Sequence, residues 1–335
     1  MSHARAAATV LSTISAGGQP HYLCIDPQFF GGAHQLVTAT IGSINVTYVQ
    51  VWKVNTQGIT ENLRRLAEAH QNLSGPVRAT FSFTFVREPL SHFVSGYSEI
   101  MSRHHIYARL YRECAPRCNY SSLRPDSSGK RTLLSPEAHA MAFVDDFVKG
   151  KLYAPSCCPH QAAISNNLHV LPQTSFLFSA FTAPGGNAGV QPAEPLQHID
   201  RIYNLEDLDE DWASISRQVD HWGRYQHLPD YHRSSSAASG SVHRAAMERL
   251  LFGKSGGAPN STLPSVHKLC KLLRWDSGCF GYPLQGVCAR DAEDVAEYAP
   301  ISSASHLESE HPCPLLRFNS RGQAYPSVGR HICAH

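Results

Sequence analysis

Phe83-Thr84-Phe85-Val86-Arg87-Glu88-Pro89-Leu90-Ser91-His92-Phe93-Val94-Ser95-Gly96-Tyr97 holds a strand end, a turn and a helix start in one short run. The alternating β-prone stretch Ala79–Val86 stops at an Arg-acid-Pro turn, and Pro89 stands where a helix begins. A guanidinium at such a turn, beside exposed helical N–H groups, offers charge-assisted bidentate hydrogen bonds to an anion. Ser95 lies two turns along and adds a hydroxyl. The competing reading is an ordinary strand-turn-helix with a solvated arginine. Along Pro89–Arg103 the stripe Phe93, Tyr97, Ile100 reads as core before ligand contact.

Strand and helix patterns alternate on both sides of this segment. Gln35–Ile41 and Val46–Trp52 are rich in β-branched and aromatic residues, with a Gly42-Ser43 turn between them, and read as strands. Thr60–Gln71 reads as a helix because Leu63, Leu66 and Ala67 share a face. Cys114–Lys130 reads as a loop, and Ser135-Pro136-Glu137 opens a helix with an N-cap, a first-position proline and an early acid. His169–Phe178 reads as an approach loop feeding a strand, and Ala183–Pro195 as a surface insertion. His198–Tyr203 reads as a strand before the acid-rich helix start Asn204–Trp212, whose acids suit the positive end of a helix dipole. Ser234–Ser241 is low in complexity and reads as disordered, helices are expected around Val242–Leu251 and Ser265–Leu273, and periodicity fades after Cys288.

The alternation over residues 20–215 predicts an α/β domain with a largely parallel sheet, whose ligands bind beyond the carboxyl ends of the strands, where Arg87 falls. The expected organisation is a disordered or targeting segment over 1–20, the α/β domain over 21–290 and an irregular tail over 291–335.

Among 335 residues, 29 basic and 27 acidic side chains leave a net charge of +2, so no global field points to nucleic acid or an anionic membrane. Anion binding must be local. Twenty histidines are scattered and read as a composition bias. Ten cysteines and the sequons at Asn45, Asn72, Asn119 and Asn260 fit a secretory-pathway protein with disulfides, whose pairing the sequence leaves open. Cys114, Cys118 and Cys157-Cys158-Pro159-His160 lack a second paired-cysteine motif at zinc spacing, so no metal is expected. Met1–Pro20 is too polar for a clear signal peptide; a poor signal, a transit peptide or a missing anchor upstream all stay open.

Taken with its surroundings, the opening segment resembles the 3′-phosphate-binding motif of sulfotransferases, Arg-Asp-Pro, two residues, Arg, two residues, Ser. Arg87, Pro89 and Ser95 hold the matching places. The chain looks like a divergent or N-terminally incomplete member of the Golgi-type carbohydrate sulfotransferases. Further likenesses follow in order at Phe143–Val148, His169–Gln173, Ile199–Trp212 and Cys279-Phe280-Gly281-Tyr282. Glu88 replaces the usual aspartate, and His92 stands where the motif has its second basic residue.

The resemblance implies a P-loop nucleotide-kinase-like sulfotransferase fold, α/β with a central, mostly parallel sheet flanked by helices. It implies 3′-phosphoadenosine 5′-phosphosulfate as co-substrate and no metal. It also implies a glycan or proteoglycan acceptor, no nucleic-acid partner, a place in the Golgi lumen and membrane contact only through an anchor absent from or incomplete in this chain. Arg87 and Ser95 would hold the 3′-phosphate. The 5′-phosphosulfate loop is expected at Ala39–Asn45, where Gly42 and Ser43 would let backbone N–H groups reach phosphate and Thr40 stands in place of the family's lysine. Acceptor-side base candidates are Glu99, His160 and His169. The alternative function is a degenerate relative that binds nucleotide or glycan without turnover.

Overall fold

Gly42 takes a left-handed conformation, φ +59°, and closes a hairpin between β1 (Leu36–Ile41) and β2 (Ile44–Val49). The computed structural model describes residues 36–54, 56–70, 76–103, 123–125, 131–153, 166–182, 196–219, 238–253, 264–289 and 316–326. From β2 the chain enters α1 (Thr56–His70), returns through β3 (Ala79–Val86) and enters α2 (Pro89–Ser102). The sheet order among the described residues is β1-β2-β3-β6, with β6 at Arg201–Asn204. Only β1 runs antiparallel; β2, β3 and β6 are parallel. The fold is therefore α/β with a mostly parallel central sheet flanked by helices.

The two central strands are most deeply buried toward their carboxyl ends. Val46, Tyr48, Val49, Phe83 and Phe85 are fully buried, with the Tyr48 and Phe83 rings stacked at 5.3 Å. Helix α1 lays Ile59, Leu63 and Leu66 on the sheet, and α5 (Leu208–Val219) adds Trp212, whose ring lies 6.4 Å from Phe83. Phe93 and Tyr97 of α2 are core residues as the stripe predicts, packed on α3 (Pro136–Val148) through Phe143 and Phe147. Full burial of each such side chain contributes about 1.5–3 kcal/mol.

Several expectations are corrected. The strand predicted over Val46–Trp52 ends at Val49, and the helix predicted from Thr60 starts at Thr56. His169–Phe178, read as an approach loop feeding a strand, instead runs from a 3₁₀ turn into α4 (Gln173–Thr182), because Asp276 accepts the Gln173 and Thr174 N–H groups and caps a helix there. The tail read as irregular carries a hairpin, β7 (Leu316–Phe318) and β8 (Ala324–Pro326), and Ala324 exchanges two backbone hydrogen bonds with Ile199, just before β6. The described part of the predicted Cys114–Lys130 loop, β4 (Leu123–Pro125), pairs with β5 (Arg131–Leu133). The low-complexity stretch ends inside α6 (Ala238–Phe252), and α7 spans Pro264–Phe280.

Cys270 and Cys288 form a disulfide that ties α7 to the turn after it. Among the described residues no helix is long and apolar enough to cross a membrane.

Helix α2 and the short 3₁₀ turn Leu168–Val170 meet backbone to backbone at Gly96. A Cβ there would lie 2.0 Å from the His169 carbonyl oxygen. Gly96→Ala is expected to lower the unfolding free energy by about 1–3 kcal/mol, since backbone cannot yield as a side-chain tip does. Denaturant titration measures it, and an unchanged midpoint refutes the close approach.

Candidate functional site

Arg87 is the first residue past the last ladder pair of β3, Val86 with Asn204, so its backbone must find partners elsewhere. Gln173 provides both: its Oε1 accepts the Arg87 N–H (2.7 Å) and its Nε2 donates to the Arg87 carbonyl (2.6 Å). Behind Gln173, buried Asp276 accepts from the Gln173 N–H (2.6 Å), the Thr174 N–H (2.9 Å) and the Thr174 hydroxyl (2.8 Å). Burial raises the Asp276 carboxyl to about 6 against the opposing pull of these donors. From the other side, Glu206 accepts the Glu88 N–H (3.1 Å) and the Tyr282 hydroxyl (2.6 Å).

Glu88 performs the N-cap that an aspartate would. Its carboxylate accepts from Leu90 N (3.0 Å) and Ser91 N (2.6 Å), and Pro89 has no N–H to offer. The expected role of free α2 N–H groups in anion binding is thereby corrected: Glu88 has taken them. What remains is the Arg87 side chain. It is half-buried, and its guanidinium has no hydrogen-bond or ion-pair partner among the described residues. Burial first, then the Arg244 charge on α6, lower its proton affinity, while Glu206 and Glu88 oppose that. A guanidinium so placed stays charged and unpaired.

Parallel pairing brings a second loop alongside. Tyr48 pairs with Phe83 near the carboxyl ends of both strands, so the loops that follow β2 and β3 leave the same edge of the sheet, and the Arg87 charge acts on Lys53. Between β2 and α1, Lys53 is the only non-glycine with positive φ (69°) among the described residues, a conformation costing about 1–3 kcal/mol. Its ammonium donates to Glu99 Oε2 at 2.9 Å, and Arg103 contacts the other Glu99 oxygen at 2.5 Å. Burial, opposed by Glu99, lowers the Lys53 proton affinity, and the Arg103 and Arg87 charges lower it further. Although burial raises it, Glu99 is held below the usual carboxylate range by Lys53 and Arg103. Helix α1 has no acid in its first turn, so its positive end faces this loop unneutralised.

Helix α2 is buried except along one line. Ser91, Ser95, Glu99 and Arg103 recur every fourth residue and are the half-buried positions, with Ser102 beside them. They form a polar ridge from the Arg87 turn to the Lys53 ion pair, and Ser95 stands midway.

The predicted residues separate accordingly. Arg87, Ser95 and Glu99 share this edge and ridge. Gly42 and Ser43 do not: Ser43 O accepts from Arg78 N (2.8 Å) and Ala79 N (3.4 Å), where β3 begins, so the turn lies at the amino end of the parallel strands. The turn expected to be the phosphate loop, with Thr40 beside it, is thus remote from Arg87, and the connection between β2 and α1, which carries Lys53, lies nearer; Asn55 and His160 are outside the described residues. His169 is buried, its ring 4.5 Å from Trp52, and burial and nearby Lys53 hold it well below its ordinary pKa. His92 is fully buried, near Trp52 O (2.8 Å), and burial lowers it to about 3, so it brings no positive charge to a phosphate.

Sequence pattern missed Lys53, Gln173, Asp276, Glu206, Tyr282 and Arg244. Lys53 had a signal, a lone cation between a β-rich run and an amphipathic helix. Gln173, Glu206 and Tyr282 fall within the ordered likenesses noted above but carry no local sign of their role, and Asp276 and Arg244 act across long sequence separations that no local pattern encodes. Among the described residues no group of three or more His, Cys, Asp or Glu would hold a metal. A family profile described as the sulfotransferase family matches residues 43–283. Comparison with curated proteins and with solved structures returned no match.

Two outcomes test this geometry. Gln173→Ala leaves the Arg87 N–H and carbonyl unpaired and is expected to cost about 1–3 kcal/mol of unfolding free energy per buried group stranded, read by denaturant titration. His92 titrates near 3 when folded and near 6.5 when not, so the unfolded chain takes up that proton first on acidification. Its contribution is full above pH 6.5 and is lost as pH falls toward 3. His92→Gln, which can still donate to Trp52 O, should flatten the pH slope of unfolding below 6.5 by up to about 1.4 kcal/mol per pH unit. An unchanged slope would show that His92 is not buried neutral.

Proposed function

The chain belongs to the sulfotransferase family, and on that premise we propose that it transfers a sulfuryl group from 3′-phosphoadenosine 5′-phosphosulfate to a carbohydrate hydroxyl. One observation carries this: Arg87, a half-buried cation with no hydrogen-bond or ion-pair partner among the described residues, sits on the loop beside that of Lys53. Two anion-seeking cations on neighbouring loops suit a ligand with phosphate groups at both ends. Arg87 and Ser95 would hold the 3′-phosphate, and Lys53 with the α1 N-terminus the 5′-phosphosulfate.

When bound, the donor supplies a sulfonate with a good leaving phosphate: the acceptor oxygen forms a bond to sulfur, the bond from sulfur to the bridging phosphate oxygen breaks, and the electron pair leaves on 3′,5′-adenosine bisphosphate. Lys53 offsets charge on that oxygen. The hydroxyl proton goes to an acceptor-side base. Glu99 has the strongest support for that role because it already meets Lys53; His169 is buried against Trp52, and His160 stays a candidate by resemblance alone.

The carbohydrate class, as a glycan or proteoglycan, rests on the order of motifs. The Cys270–Cys288 disulfide supports an oxidising compartment, for which the Golgi lumen is the reading, with any membrane contact through an anchor outside the described helices. The near-neutral net charge of +2 supports a partner other than nucleic acid.

Titration calorimetry with 3′,5′-adenosine bisphosphate is expected to show binding to the wild type and its loss in Arg87→Ala. Wild type that fails to bind would overturn the proposal. With radiolabelled donor and a panel of polysaccharides, Lys53→Ala should reduce transfer by about 10²–10³-fold, as loss of one oxyanion donor does elsewhere. Binding without transfer to any acceptor would leave a nucleotide-binding relative without turnover.

A further inference from the structure

We propose that the Lys53–Glu99 ion pair is a latch that a phosphosulfate opens by taking Lys53, so that donor entry and the release of Glu99 are one event. The inference rests on the assignment of this edge to a sulfonucleotide donor.

Glu99 lies one ridge step beyond Ser95, which is about 6 Å farther along α2 from Arg87. Lys53, from a strained loop, is drawn to that level and spends its charge on Glu99 at 2.9 Å. Both side chains are about four-fifths covered, 20% and 18% exposed, so water screens the pair weakly. The two partners differ in what else they have. Glu99 also holds Arg103 at 2.5 Å, whereas Lys53 has no second carboxylate among its described contacts. An incoming phosphosulfate therefore competes with Glu99 for Lys53 and leaves Glu99 with Arg103.

That exchange alters Glu99 in the direction its chemistry needs. The charges that act on it are Lys53 from the β2–α1 loop and Arg103 from the end of α2, while nearby His169 and His92 are buried and neutral. Removal of one of two cations raises its proton affinity, so the carboxylate becomes a better proton acceptor only once the donor is seated. Donor-first binding follows.

The latch makes a carboxylate at the site an obstacle to anion binding, which a merely structural Glu99 would not be. The experiment is a double-mutant cycle on 3′,5′-adenosine bisphosphate affinity by calorimetry, with thermal unfolding of each variant as the check on folding. Glu99→Gln is expected to bind about tenfold more tightly than wild type, a gain of the size that loss of one competing ion pair allows, while sulfate transfer falls. Glu99→Ala repeats the comparison without a carboxamide that could still accept from Lys53. In a Lys53→Met background the same substitution should change affinity little, because the competitor has nothing left to hold. Equal or weaker binding by both Glu99 variants overturns the latch. So does a gain that persists in Lys53→Met, which would be a general field effect. Wild type that binds no nucleotide is a different failure: it removes the donor assignment itself, and the latch with it.

Discussion

The Gln173 carboxamide, clasping the Arg87 peptide by both its N–H and its carbonyl, is the constraint on which the candidate site depends. Past the end of a β-ladder, a chain loses its regular partners but not its need for them. Left to water, the turn would swing with the solvent. Here α4 reaches in with one side chain and α7 holds α4 in place through Asp276, so the direction of a guanidinium is set by helices far along the chain. A net gain of about 0.5–1.5 kcal/mol per hydrogen bond is modest. The larger effect is on geometry, since a binding cation displaced by an ångström loses its alignment.

Charge organises the rest. The Arg103 and Arg87 charges disfavour the Lys53 ammonium, and the Arg244 charge disfavours the Arg87 guanidinium. Glu99 offsets two of them, and Glu206 and Glu88 partly offset Arg87. Glu88 and Glu206 are also committed to backbone N–H groups, so they brace the turn as much as they neutralise it. The Glu88 cap consumes the Leu90 and Ser91 N–H groups, which leaves the Arg87 side chain as the anion-seeking group at this turn. His92 adds no cation for the same reason that Phe93 packs well beside it, complete burial.

Local patterns carried the strand-turn-helix at Arg87, the apolar stripe of α2 and the N-cap of α3, because each depends on neighbours in sequence. Reading β2 as far as Trp52 and α1 only from Thr60 hides the segment between them that contains Lys53, while the Gly42-Ser43 turn closes the β1–β2 hairpin at the other end of the parallel strands. Glycine at a turn signals positive φ, not phosphate. The segment His169–Phe178 reads locally as a loop feeding a strand, yet a buried carboxylate from α7 caps a helix within it.

The sequence by itself determined that an arginine, a proline and a serine lie at a strand-to-helix turn in an α/β chain of the sulfotransferase type, since periodicity, capping and motif spacing are all read within one stretch. Only the tertiary structure decided which end of the sheet each loop occupies, that Lys53 faces Glu99, and that Gln173, Asp276, Glu206 and Tyr282 fix the turn. Those facts follow from parallel strand pairing and from hydrogen bonds between residues about a hundred positions apart, which no local pattern can specify.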